Sequence, residues 1–161
     1  LQLARLSGAA LVAVSEPVAA KREEAKRLGA DICFDPFAVS EDAFVAECEK
    51  YNFDCVIECA GNVKTIGQAI RAAGKKATVM MFGLTKPDDV VSVKPYDVFS
   101  KELTLRSSYI NPYTQARALA LIESGRVDVV SMLCPAIPLE KLFEVLSDEK
   151  MRAKGKYVVQ L

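Results

Sequence analysis

Glu16 is the first residue in this chain whose type and place could do chemistry. It ends an apolar run, ALVAVS at 10–15, and a helix follows at once behind Pro17. A carboxylate at the tip of a strand packs poorly, but it can accept two hydrogen bonds from a diol lying across the strand ends. The same place also suits an acid that stabilises the positive end of the next helix, so the residue alone leaves both readings open. Lys21 and Arg22 lie one turn into that helix, where they either soften what Glu16 selects or form a solvated face. Glu58 closes a second apolar run, DCVIE at 54–58, and reads as a half-exposed acid satisfied by nearby backbone N–H groups.

Other chemistry is thin. The chain has no histidine, which removes the commonest general base and zinc ligand together. Its five cysteines, Cys33, Cys48, Cys55, Cys59 and Cys134, include no CxxC pair. An odd count, with several in apolar runs, points to reduced, buried thiols in the cytoplasm. Cys55 and Cys59 have the wrong spacing for a zinc knuckle and fall in an apparent core strand. Lys plus Arg is 21 and Asp plus Glu is 21, so no basic field invites nucleic acid or an acidic membrane. No apolar run approaches the ~20 residues of a membrane span.

The elements that must position these residues alternate regularly. Strands are expected at 10–15, 31–34, 54–58, 77–82, 103–107 and 156–160, and helices at 18–28, 40–51, 63–73, 112–124 and 139–147. Pro17 and Gly29 bracket one helix; Ser40 caps another, with Glu41 and Asp42 in its first turn. Asn111 and Pro112 read as the start of the helix that ends at Gly125. LQLARLSGA reads as the second half of an amphipathic helix stopped by Gly8. Segment 87–101 breaks the rhythm: VVSV is a short extra strand, either an excursion or an edge that pairs with a second subunit, and PYDVFSKE a helical turn.

Strands apolar on both faces, alternating with helices, imply a doubly wound parallel α/β sheet, which binds ligands beyond the carboxyl ends of its strands. In a dinucleotide-binding sheet the acid after the second strand receives the adenosine ribose; a carboxylate there favours NAD and repels the 2′-phosphate of NADP. Ala60 and Gly61 after one strand and Gly83 after the next are small enough for a flat ligand to approach the backbone. The glycine-rich phosphate turn is missing, and with it the first strand; both are expected just upstream of Leu1. In the order 3-2-1-4-5-6 that strand is central, so 10–15 and 54–58 should flank a gap.

The ordered set GAALVAVSEPVAAKREEAKRLGAD, DCVIECAGN, QAIRAAGKKATVMMFGL, KELTLRSSYINPY, ALALIESGRVDV and IPLEKLFEVL…KGKYVVQL resembles the cofactor domain of the zinc-dependent medium-chain dehydrogenases. SEP and SYINPY are similar to the sorbitol, polyol and butanediol branch. The resemblance implies one NAD-binding Rossmann domain over 1–161, truncated at its N-terminus, with the catalytic zinc domain absent. It implies a homodimer formed through the edge near Val90–Lys94. It also implies cofactor contacts by position. Glu16 takes the ribose and Lys21 the adenosine end. Ala60 and Gly61 flank the adenine and its ribose. Phe82, Gly83 and Leu84 touch the nicotinamide, and Ser107, Ser108 and Tyr109 close over it. Lys156 lies near the pyrophosphate. No catalytic or metal-binding residue is carried over to this chain, so alone it is expected to be inactive. The parent would pass hydride between a secondary alcohol or polyol and NAD, with zinc held by the other domain. A noncatalytic assembly or regulatory domain is the alternative. A methyltransferase also holds a ribose with such an acid, but ends in an antiparallel hairpin rather than helix then strand.

Overall fold

The computed structural model describes residues 1–110 and 113–161. These form two compact units, residues 13–113 and residues 1–12 with 114–161.

The unit 13–113 carries the alternating elements. Strand β1 (Ala13–Ser15) pairs in parallel with β2 (Ile32–Phe34), with helix α2 (Ala19–Arg27) crossing between them. Strand β3 (Cys55–Glu58), β4 (Thr78–Met81) and β5 (Thr104–Ser107) form a second parallel sheet in that order. Helix α3 (Glu41–Glu49) connects the two sheets along the chain, and α4 (Val63–Ala72) joins β3 to β4. Thus, among the described residues, β1 and β3, which should flank a gap, each have a strand on one side only. That leaves one edge of each open, and Cys55 and Ile57 of β3 are exposed.

Local chemistry accounts for the helix starts. Ser40 accepts a hydrogen bond from Ala43 N–H at 3.3 Å, and Asn62 accepts one from Thr65 N–H at 3.0 Å. Helix α4 then buries one stripe, Ile66, Ala69 and Ile70, against Ala77 and the fully buried Val79 of β4. Its other contact is α3: Phe44, Val45 and Cys48 pack on Ala72, with Phe34 and Phe53 beside them. Arg71 of α4 also pairs with Glu41, at 2.8 Å, and with Asp42.

Residues 90–93 are not a strand. Val91 and Val93 turn inward onto the core of the β3–β4–β5 sheet, while Val90 is 79 % exposed. The alternation is that of a strand, but a strand also needs a neighbour to complete its ladder. Helix α5 (Pro95–Lys101) follows directly, as the helical turn expected there.

In the other unit, α1 (Gln2–Leu6) is the expected N-terminal helix. Gln2 fastens it by two bonds to one residue: its Nε2 donates to Asp128 O at 2.8 Å and its Oε1 accepts from Asp128 N–H at 2.7 Å. Helix α6 (Gln115–Glu123) starts later than expected; Asn111 and Pro112 lie outside the described residues. Strand β6 (Ile137–Pro138), which the sequence reading missed, pairs in parallel with β7 (Val159–Gln160). A two-residue strand containing proline carries no period-2 signal. Helices α7 (Leu142–Ser147) and α8 (Glu149–Arg152) lie between them in sequence.

Candidate functional site

Four strand ends of the unit 13–113 carry most of the expected site residues. At the end of β1, the Glu16 backbone N–H donates to Phe34 O at 3.1 Å, extending the ladder by one bond. One carboxylate oxygen, Oε1, accepts from Val18 N–H at 2.9 Å, where helix α2 begins. Glu16 thus does the helix-start work that its position allowed, and does it with one oxygen of the two. The half-buried carboxylate matches the acceptor chemistry a ribose diol requires.

Lys21 is exposed. Arg22 forms neither a solvated face nor a free cation. Its Nη1 donates to Glu16 O at 2.7 Å and to Pro17 O at 2.8 Å. Its Nη2 stands 2.9 Å from Asp35 Oδ2, beyond the end of β2. Asp35 was missed by the sequence reading, although an acid directly after an apolar run was the signal that singled out Glu16.

The ends of β3 and β4 meet through Glu58. Its backbone O accepts from Phe82 N–H at 2.9 Å and Gly83 N–H at 2.8 Å. Its side-chain Oε1 accepts from Ala60 N–H at 2.7 Å, Gly61 N–H at 2.9 Å and Thr65 Oγ1 at 2.7 Å. Backbone N–H groups satisfy this oxygen, as expected. The expectation of a half-exposed acid is corrected: Glu58 is only 5 % exposed, and its Oε2 is buried without a hydrogen-bond partner. Packing of the β4 loop over the β3 loop causes that burial. A Cβ on Gly83 would land on the Gly61 backbone, with Glu58 Oε2 2.9 Å away. A Cβ on Gly61, whose φ is +70°, would meet Leu84 O at 2.5 Å. The two glycines first serve to let the loops touch each other.

Ala60, Gly61, Phe82, Gly83 and Leu84 are therefore brought together. Ala60, Phe82 and Leu84 are exposed, the last at 90 %. A groove of ≈ 750 Å³ runs past Gly61, Asn62, Lys64, Leu84, Thr85 and Lys86. Ser107 is in register with Met81, so Ser108 and Tyr109 leave the sheet beside Phe82; all three residues 107–109 are exposed. Lys156 belongs to the other unit, where its backbone bridges Met132 and Cys134.

The cysteines correct another expectation. All five are free, but Cys48 alone is fully buried; Cys55 is exposed on the open-edged β3, and Cys59 is exposed in the loop just beyond it. Burial pushes the Cys48 thiol up to about 11, with Glu47 and Glu49 adding to it. Partial burial and then the neighbouring Glu58 carboxylate raise Cys59. Among the described residues, no three His, Cys, Asp or Glu side chains gather as metal ligands would. Nor is any helix there long and apolar enough to cross a membrane.

The chain is similar to known proteins over nearly its whole length. Sorbitol dehydrogenase of Gallus gallus is 27% identical over 157 residues, covering 95% of this chain and 43% of the relative. D-arabinitol dehydrogenase 1 of Uromyces fabae is 25% identical over 163 residues, covering 99% of this chain and 47% of the relative. A solved zinc-binding dehydrogenase from Sinorhizobium meliloti 1021, bound to NADP, superposes with a TM-score of 0.92 at 32% identity. That match covers 99% of this chain and 48% of the other. The chain spans about half the length of the curated relatives it matches. The family model for zinc-binding dehydrogenases matches residues 1–124, and the chain belongs to that family.

Proposed function

We propose that this chain is the NAD-holding portion of an oxidoreductase that moves hydride between a secondary alcohol or polyol and the nicotinamide. The observation that carries the reading is Glu16: a carboxylate at the carboxyl end of β1 with one oxygen spent on Val18 N–H and the other left for a hydroxyl. The family membership and the sorbitol and arabinitol dehydrogenase relatives support the substrate class. In this reading Lys21 lies near the adenosine end, Ala60 and Gly61 border the adenine and its ribose, and Phe82, Gly83 and Leu84 offer backbone to the nicotinamide. Ser107, Ser108 and Tyr109 close the same side. The domain extends over 1–161 and works with a catalytic part outside these residues. Zinc would be held in that part, where it would lower the pKa of the bound alcohol. The contribution of this chain is to bind and orient the cofactor. Oligomerisation through residues 90–94, whose inward valines already give them strand-like alternation, and a cytoplasmic setting complete the proposal.

The test is Glu16→Ala in the full-length protein, read as the NAD dissociation constant by fluorescence titration. Losing one charge-assisted hydrogen bond predicts a weakening of roughly tenfold or more. Glu16→Gln, which keeps an acceptor for Val18 N–H, separates cofactor binding from the helix start. Unchanged NAD affinity in both variants would remove Glu16 from the site.

A further inference from the structure

The ion pair at the ends of β1 and β2 bears on which cofactor is taken. An arginine one turn into the helix behind the ribose acid is the kind of residue that accommodates a 2′-phosphate. Arg22 stands there, but its guanidinium is already committed. Two of its bonds go to the carbonyls of Glu16 and Pro17, and the third contact goes to Asp35 at 2.9 Å. The Arg22 side chain is 18% exposed and that of Asp35 32%, so the pair is partly shielded from water. Asp35 is itself held: its Oδ1 accepts from Phe37 N–H at 3.0 Å, which fixes the carboxylate at the β2 end. The guanidinium charge is neutralised at short range, so it offers a 2′-phosphate at Glu16 no free cation. Lys21 is the exposed cation on that turn.

We propose that Asp35 is a specificity-determining residue: by pairing Arg22 it withholds the guanidinium from a 2′-phosphate and so favours NAD over NADP. The inference rests on the adenosine-end reading of Glu16. Asp35 touches no part of the cofactor and acts through Arg22. With Asp35 neutral, Arg22 keeps its two carbonyl bonds but regains an unpaired charge.

The experiment measures dissociation constants for NAD and NADP on the full-length protein for wild type, Asp35→Asn, Asp35→Ser, Arg22→Gln and Asp35→Asn with Arg22→Gln. Circular dichroism checks folding, and the serine variant serves if the asparagine variant does not fold. Wild type is expected to bind NAD more tightly. The single Asp35 variants are expected to shift the NADP-to-NAD affinity ratio toward NADP by at least tenfold, and the double variant to lose most of that gain. A merely structural role would weaken both cofactors alike and leave the ratio where it was. A wild-type preference for NADP, a ratio within twofold of wild type in the Asp35 variants, or a gain that survives loss of Arg22 would each overturn the proposal. If Glu16→Ala leaves both constants unchanged, the adenosine-end reading itself fails, which none of those three outcomes implies.

Discussion

Replacing Glu58 by Ala should be among the costliest single changes in the unit 13–113. One oxygen of this side chain accepts three hydrogen bonds, at 2.7, 2.9 and 2.7 Å. A bond to a charged acceptor is worth roughly 1.5–3 kcal/mol, so the gross loss is about 4–9 kcal/mol. Against it stands the desolvation of a buried carboxylate, several kcal/mol, with no partner at Oε2 to offset it. Ala60 is exposed, so its freed N–H can turn to water. The net expectation is a loss of about 3 kcal/mol. A side chain that merely packed would cost only about 1 kcal/mol for the methylene removed. Glu58→Gln keeps an oxygen for the three donors but puts an NH2 where Oε2 finds no partner, so it should fall between wild type and Ala. Urea unfolding at pH 7, with the slopes compared to exclude a changed unfolded state, reads both. A loss below 1 kcal/mol for Glu58→Ala would refute the view that this carboxylate clasps the two loops.

Two further outcomes are expected from the same structure. Gly83→Ala sets a methyl group against the Gly61 backbone, which no rotamer relieves. It should cost more than about 2 kcal/mol and speed hydrogen exchange at the Phe82 and Gly83 amides, whose bonds to Glu58 O hold the loop. The Cys48 thiol is raised by burial from 9.0 to about 11. The folded chain therefore keeps a proton that the unfolded chain releases. No penalty exists below pH 9; it grows to about 2–3 kcal/mol as pH rises to 11. Urea midpoints followed across that window should fall less steeply in Cys48→Ala than in wild type.

What the sequence determined by itself was local or periodic. Ser40, read as a helix cap, bonds the N–H group three residues on, so its partner is near in sequence; Asn62 does the same at the next helix, though it was not singled out. Apolar runs alternating with helical stripes were enough for a parallel α/β sheet, and the chain order located an open edge at β1 and at β3. Glu16 was legible because a strand end and a helix start are adjacent in sequence. Tertiary structure decided the rest. Whether Glu58 is exposed depends on a loop that arrives from β4 and covers it, and no pattern around residue 58 records that. Arg22 turns to Asp35 because β1 and β2 are neighbours in register, a pairing of residues 13 positions apart with no periodic signature. Residues 90–93 have the alternation of a strand, but a strand is completed by its neighbour's backbone. Side-chain periodicity is written along the chain; burial and pairing belong to whatever the fold brings alongside.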